Sequence, residues 1–279
     1  MTRAEHWLVL GQGTIGRLIA ARFREAGASV TVSDAQGWEE KVDAHEGYVL
    51  CSVHRGSESA AVAQRIGEGG GDRVAGVVDL TTQATAELEI AETALEAVGV
   101  PHWAGGLVGG ALSVERRNAV TFLGPSQTDP AVEAALGSFS STIRFPTRRA
   151  AVLAKLTHNF VLFSHSLAVG YALKLGREHR CVEEFLAAIA RGPAGRNVWD
   201  LSIVRDVLGG GPSSYTTKLV LKDVPQIRSS LDDLTESGRC VLDEVEKLLA
   251  SGDDAEPFTT ALYKALQGDP CDDEHRGSE

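Results

Sequence analysis

Apolar positions in the first half of the chain follow two alternating rhythms. Short runs with strand character occur at residues 7–10, Ser29–Ser33, 47–52, 74–80, 100–103 and 119–123. Between them lie stretches with helical spacing, notably 15–26 and 84–98. Strands separated by helices of this length predict βαβ units and a mainly parallel sheet. Gly69-Gly70-Gly71 marks a loop before the fourth run.

The pattern changes after Pro146. Helical periodicities take over at residues 150–175, 181–190, 198–207, 216–236 and 240–250, with glycine-rich loops at 192–193, 209–212 and 252–254. The expected organisation is an α/β domain at 1–146 and an all-helical domain at 147–268. A polar, acidic tail at 269–279 is expected to be disordered.

Composition narrows the class. A chain of 279 residues suits one large domain or two ordinary ones. At 43% hydrophobic and 23% charged it can bury a core, which excludes a disordered or fibrous protein. A net charge of −11 argues against nucleic acid as a partner. Cys51, Cys181, Cys240 and Cys271 are far apart and fit neither zinc spacing nor a disulfide framework. Reduced thiols, no metal and a cytoplasmic location are therefore expected. The run at 7–10 is too short for a signal peptide or a membrane span. The long apolar stretch at 150–175 is broken by Lys155, His158, Asn159 and His165, so it reads as a buried helix and not a membrane segment.

Gly11-Gln12-Gly13-Thr14-Ile15-Gly16 is a G-x-G-x-x-G in which a strand ends and a helix begins. Gly11 permits the tight turn, Gly13 lets a pyrophosphate approach the backbone, and Gly16 lets helix and strand pack closely. The helix start offers N–H groups and a positive dipole end to phosphates. These residues predict a dinucleotide-binding Rossmann domain. The next strand finishes at Asp34, eighteen residues past Gly16. A carboxylate there accepts hydrogen bonds from adenosine ribose hydroxyls and repels a 2′-phosphate, so NAD is expected over NADP. Arg55 keeps NADP open.

Four further segments, in order, resemble the β-hydroxyacid dehydrogenase family, relatives of 3-hydroxyisobutyrate and 6-phosphogluconate dehydrogenases and of the imine reductases. Val78-Asp79-Leu80-Thr81-Thr82 is similar to the family's D-x-S-T strand end. Gly99-Val100 followed by residues 104–110 lines up with its D-A-P-V-S-G-G substrate loop. Lys155-Leu156-Thr157-His158-Asn159 matches its K-x-x-x-N helix, and Lys222-Asp223 a later K-D. The resemblance spans Trp7 to about Leu266. It implies a nicotinamide flanked by Ser52, Val53 and Thr82, and substrate contacts from Val108, Gly109, Gly110 and Lys222. It also implies a homodimer built through the helical domains and an active site in the cleft between the two domains.

Two departures matter. Val108 stands where the family has a serine that holds the substrate carboxylate, and the Gly105-Gly106-Leu107 run is similar to that of imine reductases. Yet imine reductases usually replace the lysine, and this chain keeps Lys155.

Lys155 and Asn159 are four apart, one helical turn, amid Val152, Leu153, Leu156, Phe160, Val161 and Phe163. A helix apolar all round is expected to be buried, and an ammonium there is costly unless paired or lining a polar cavity. Burial would also lower the lysine pKa toward the range of a proton donor and acceptor. The expected reaction is hydride transfer between nicotinamide and a small carbonyl or hydroxy compound. Lys155 would move the proton and Asn159 would orient the substrate. Lys222 serves either an anionic substrate group or a surface ion pair. Two other readings stay open: an imine reductase, and a dinucleotide-binding protein without catalysis. Trp103 reads equally as pocket lining or packing; His158, His165 and Cys51 read as bystanders.

Overall fold

The N-terminal apolar run becomes β1 (His6–Leu10), buried from Trp7 onward. The chain then alternates: α1 (Thr14–Glu25), β2 (Ser29–Ser33), α2 (Trp38–Ala44), β3 (Gly47–Cys51), α3 (Gly56–Glu68), β4 (Val74–Asp79), α4 (Thr85–Glu96) and β5 (His102–Val108). After these come α5 (Gly110–Glu115), β6 (Ala119–Gly124), α6 (Pro130–Gly137) and β7 (Ser140–Arg144). Helices follow: α7 (Arg148–Glu178), α8 (Val182–Arg191), α9 (Thr217–Ser230), α10 (Glu236–Leu249) and α11 (Phe258–Gln267). The computed structural model describes residues 6–34, 37–69, 71–191, 216–231, 234–250 and 252–267. The helix expected at 198–207 and the tail at 269–279 lie outside the described residues.

Among the described residues seven strands form one sheet in the order β2-β1-β3-β4-β5-β6-β7, parallel throughout except where β5 meets β6. Side chains alternate across it. Trp7 and Val9 of β1, Tyr48 and Leu50 of β3 and Trp103 of β5 face Ile19, Ala20 and Phe23 of α1, and Val132 and Leu136 of α6. Leu8, Leu10, Val49, Cys51 and Val77 face Val62, Ala63 and Ile66 of α3, and Ala91 and Leu95 of α4. Both faces are covered, which is why β1 and β3 are apolar almost without interruption. The fold class is the expected one: an N-terminal Rossmann-type sheet followed by a helical region.

Several boundaries differ from expectation. Residues 104–108, aligned above with a substrate loop, are strand: β5 pairs antiparallel with β6 from Ala104–Gly124 to Val108–Val120. β7 carries no sequence signal because Ser-Ser-Thr-Ile-Arg is an edge strand, exposed along most of its length. α2 and α3 also escaped the periodicity; α3 is rich in alanine and serine. The helix expected over 216–236 stops at Ser230, and another begins at Glu236, where the Thr235 hydroxyl accepts a bond from the Gly238 N–H.

The chain divides into two compact units, Met1–Thr157 with Ser229–Leu231, and His158–Arg228 with Asp232–Glu279. The first holds the sheet. In the second, Leu162, Phe163 and Leu173 of α7, Val220, Val224 and Ile227 of α9, Leu242 and Val245 of α10, and Phe258 and Leu262 of α11 are buried. Among the described residues no helix is long and apolar enough to cross a membrane.

Candidate active site

The register of the first unit defines one edge. Ser33, Leu10, Cys51, Asp79 and Ala104 lie in a row across β2, β1, β3, β4 and β5. The ladder runs one residue further: the N–H groups of Gly11, Ser52 and Leu80 donate to the carbonyls of Ser33, Leu10 and Cys51, each at 2.9 Å. Beyond this row stand the glycine turn, Asp34, Ser52, Val53, Thr81 and Thr82. Strand order reverses between β1 and β3, and ligands of open α/β sheets bind at such a switch, outside the carboxyl ends of the strands.

The turn has the shape its glycines suggest. Gly11 adopts φ +111°, and a Cβ on it would lie 2.2 Å from the Ser52 carbonyl oxygen. A Cβ on Gly16 would lie 1.9 Å from the Gly11 carbonyl oxygen, so α1 starts as close to the turn as a backbone allows. At Gly13, by contrast, a Cβ would meet nothing within 4 Å. The α1 N-terminus has no side-chain cap and no acidic residue in its first turn. Unused N–H donors beside open space fit a pyrophosphate. Gln12 and Ile15 are half-buried, Thr14 is exposed, and Asp34 is exposed at the end of β2.

Lys155 is buried at 7% exposure. Its stem lies over β5: a Cβ on Gly106 would sit 2.5 Å from Lys155 Cγ and 2.9 Å from Cδ. Gly106 is two residues past Ala104, the partner of Asp79, so the lysine stem crosses the sheet level with Thr81. It thus stands at the same edge as the glycine turn, three strand spacings or about 14 Å along the sheet. Gly106, which the family resemblance puts in a loop, lies in β5 and makes room for the lysine. Gly106→Ala is expected to lower stability by about 1–3 kcal/mol, as overpacking does, since the clash falls on the inner stem. Urea unfolding checks this; an unchanged midpoint would contradict the packing.

Asn159 lies in the second unit and is 1% exposed. Its Nδ2 donates to Asp223 Oδ2 at 2.8 Å, and Lys222 Nζ stands 3.0 Å from Asp223 Oδ1. An ionised carboxylate only accepts, so Asp223 sets which way the Asn159 amide faces. Asp223 therefore joins the candidate residues, although the spacing of Lys155 and Asn159 does not reveal it. The Lys222 side chain is only 14% exposed, more enclosed than a surface partner. Val108 and Gly110 are half-buried and Gly109 exposed at the end of β5.

The bystanders are placed too. Trp103 packs in the core and donates Nε1–H to the Gln127 carbonyl at 2.9 Å. Neither ring nitrogen of buried His102 has a hydrogen-bond partner among the described residues. Burial, reinforced by the charge of Arg148, pushes its pKa down to about 3, so it stays neutral and is no proton carrier near pH 7. Burial pushes the Cys51 thiol up, which removes it as a nucleophile. His158 is exposed and His165 half-buried. Among the described residues no group of three or more His, Cys, Asp or Glu side chains could hold a metal ion.

No protein-family model matches the chain, and no curated protein matches it. Solved structures do. The chain is similar to the 3-hydroxyisobutyrate dehydrogenase of Mycobacterium tuberculosis bound to L-serine, with TM-score 0.80 and 16% identity, over 93% of this chain and 98% of that one. It is similar to Psf3 in complex with NADP+ and 2-OPP, with TM-score 0.70 and 17% identity, over 94% and 99%. It is also similar to an imine reductase of Streptomyces aurantiacus, with TM-score 0.53 and 19% identity, over 92% and 98%. The chain thus has the fold of the 3-hydroxyacid dehydrogenases, as the four segments implied.

Proposed function

We propose that this chain is an NAD(P)-dependent oxidoreductase, preferring NAD, that moves a hydride between nicotinamide and a small carbonyl or hydroxy compound, in the manner of β-hydroxyacid dehydrogenases. The observation that carries this reading is the burial of Lys155 on Gly106, at the same sheet edge as an uncapped phosphate-binding turn. Gly11, Gly13 and the first N–H groups of α1 would hold the pyrophosphate, and Asp34 the adenosine ribose. Ser52, Val53 and Thr82 would flank the nicotinamide, which supplies or accepts the hydride when bound. Lys155 would give a proton to the forming alkoxide, or take it in oxidation. Asn159, oriented by Asp223, would hold the substrate, and Lys222 would bring positive charge toward an anionic group. Val108, apolar where a carboxylate-binding serine stands in the family, favours a substrate other than a plain 3-hydroxyacid.

A substrate panel comparing carboxylated with uncharged carbonyls tests the reading, with cyclic imines included. Imine turnover with a mild Lys155→Ala effect would favour an imine reductase. Tight dinucleotide binding with no turnover would favour a non-catalytic binder. The cofactor is tested separately. NADH is expected to bind at least about tenfold more tightly than NADPH, since Asp34 faces the extra phosphate with a like charge. One fold-neighbour holds NADP+, so the comparison is a sharp one. Equal or tighter NADPH binding would remove the role given to Asp34.

A further inference from the structure

We propose that Asp79 is a positioning residue whose carboxylate clamps the two loops flanking the nicotinamide; the proposal rests on the dinucleotide reading above. Asp79 ends β4 and is 1% exposed. Its Oδ1 accepts from the Thr81 N–H at 2.9 Å. Its Oδ2 accepts from the Ser59 hydroxyl at 2.5 Å and from Gln83 Nε2 at 2.7 Å. The Thr81 hydroxyl in turn accepts from the Val53 N–H at 3.3 Å.

One buried side chain thus ties four places together: the end of β4, the first turns of α3 through Ser59, and the β4–α4 loop through Thr81 and Gln83. The fourth, reached through the Thr81 hydroxyl, is the β3–α3 loop at Val53. Burial raises the Asp79 carboxyl pKa above the ordinary carboxylate range, against the pull of its hydrogen bonds. The three donors, the Ser59 hydroxyl, the Thr81 N–H and the Gln83 amide, are all neutral. Gln83 serves this group at its own expense, because its Oε1 is buried with no hydrogen-bond partner among the described residues.

Folding alone gives little reason for this arrangement. Buried ionic groups are often replaceable by apolar ones without loss of stability. The position of the clamp does give one. It pins the backbone of Val53 and of Thr81 and the side chain of Gln83, leaving Val53 and Thr82 half-exposed at the carboxyl edge. Side chains that must meet a ring within about 0.5 Å need loops held in this way.

The test separates the two ends of the dinucleotide. Wild type, Asp79→Asn, Thr81→Val and Thr81→Ser are titrated calorimetrically with NADH and with ADP-ribose, which lacks the nicotinamide (the phosphorylated pair replaces them if NADPH binds more tightly). Asp79→Asn and Thr81→Val should weaken NADH at least about tenfold and leave ADP-ribose within about twofold. Thr81→Ser, which keeps the hydroxyl, should behave as wild type. Equal weakening of both ligands would mean a general structural role and overturn the proposal, as would no weakening of either. Should Asp79→Asn not fold, the Thr81→Val and Thr81→Ser pair decides alone. A wild type that binds neither ligand would overturn the dinucleotide reading itself, and the clamp with it. That outcome is distinct from a clamp that fails while wild type binds both.

Discussion

Lys155→Met should lower kcat/KM by about 10²- to 10⁴-fold on whichever carbonyl the panel shows to turn over. NADH binding should change by less than about twofold, because the glycine turn lies three strands away. Methionine keeps an unbranched, apolar stem over Gly106, so the packing survives while the ammonium is lost. The defect should fall on kcat, as expected when a group acts in the transition state and not in ground-state binding. Steady-state kinetics beside a dinucleotide titration separate these effects. A rate within about threefold of wild type would leave no proton-transfer role for this lysine.

A second large effect is expected at the glycine turn, where two substitutions should behave oppositely. In Gly16→Ala the new methyl would lie 1.9 Å from the Gly11 carbonyl oxygen and 3.0 Å from its carbon. Those are backbone atoms, so α1 must separate from the turn, at about 3 kcal/mol or more. The variant should unfold at lower temperature and lose dinucleotide binding. Gly13→Ala meets nothing within 4 Å and should fold as wild type does. Yet its methyl would occupy the space assigned to the pyrophosphate, so NADH affinity should fall by about tenfold or more. If Gly13→Ala binds NADH like the parent, the phosphates do not lie where the turn suggests.

The fold is unevenly legible along the chain, for physical reasons. β1 and β3 were legible because strands covered on both faces must be apolar along their length. β7 was not, because an edge strand needs few buried side chains. The family resemblance puts residues 104–108 in a substrate loop. The pairing with β6 overrides that, and Gly105 is required there: a Cβ would lie 2.0 Å from the Phe122 carbonyl oxygen. Asp79 and Asp223 stand in quoted motifs, and a carboxylate closing the run Val77-Val78 was a signal that partners must exist. Which partners they are depends on residues twenty and sixty-four positions away.

Local order in the chain was enough for the alternation of strands and helices, the glycine turn at the end of β1, and the burial of Lys155 and Asn159 on α7, although Val161, Tyr171 and Leu175 of that helix are exposed. Each of these is encoded within a window of a few residues, by periodicity or by the demands of one turn. The tertiary structure alone decided that Gly106 lies beneath Lys155, that Asp223 orients Asn159, and that Asp79 gathers Ser59, Thr81 and Gln83. Contacts of that kind join strands and helices distant in sequence, and they form only when the sheet register sets which residues share a row.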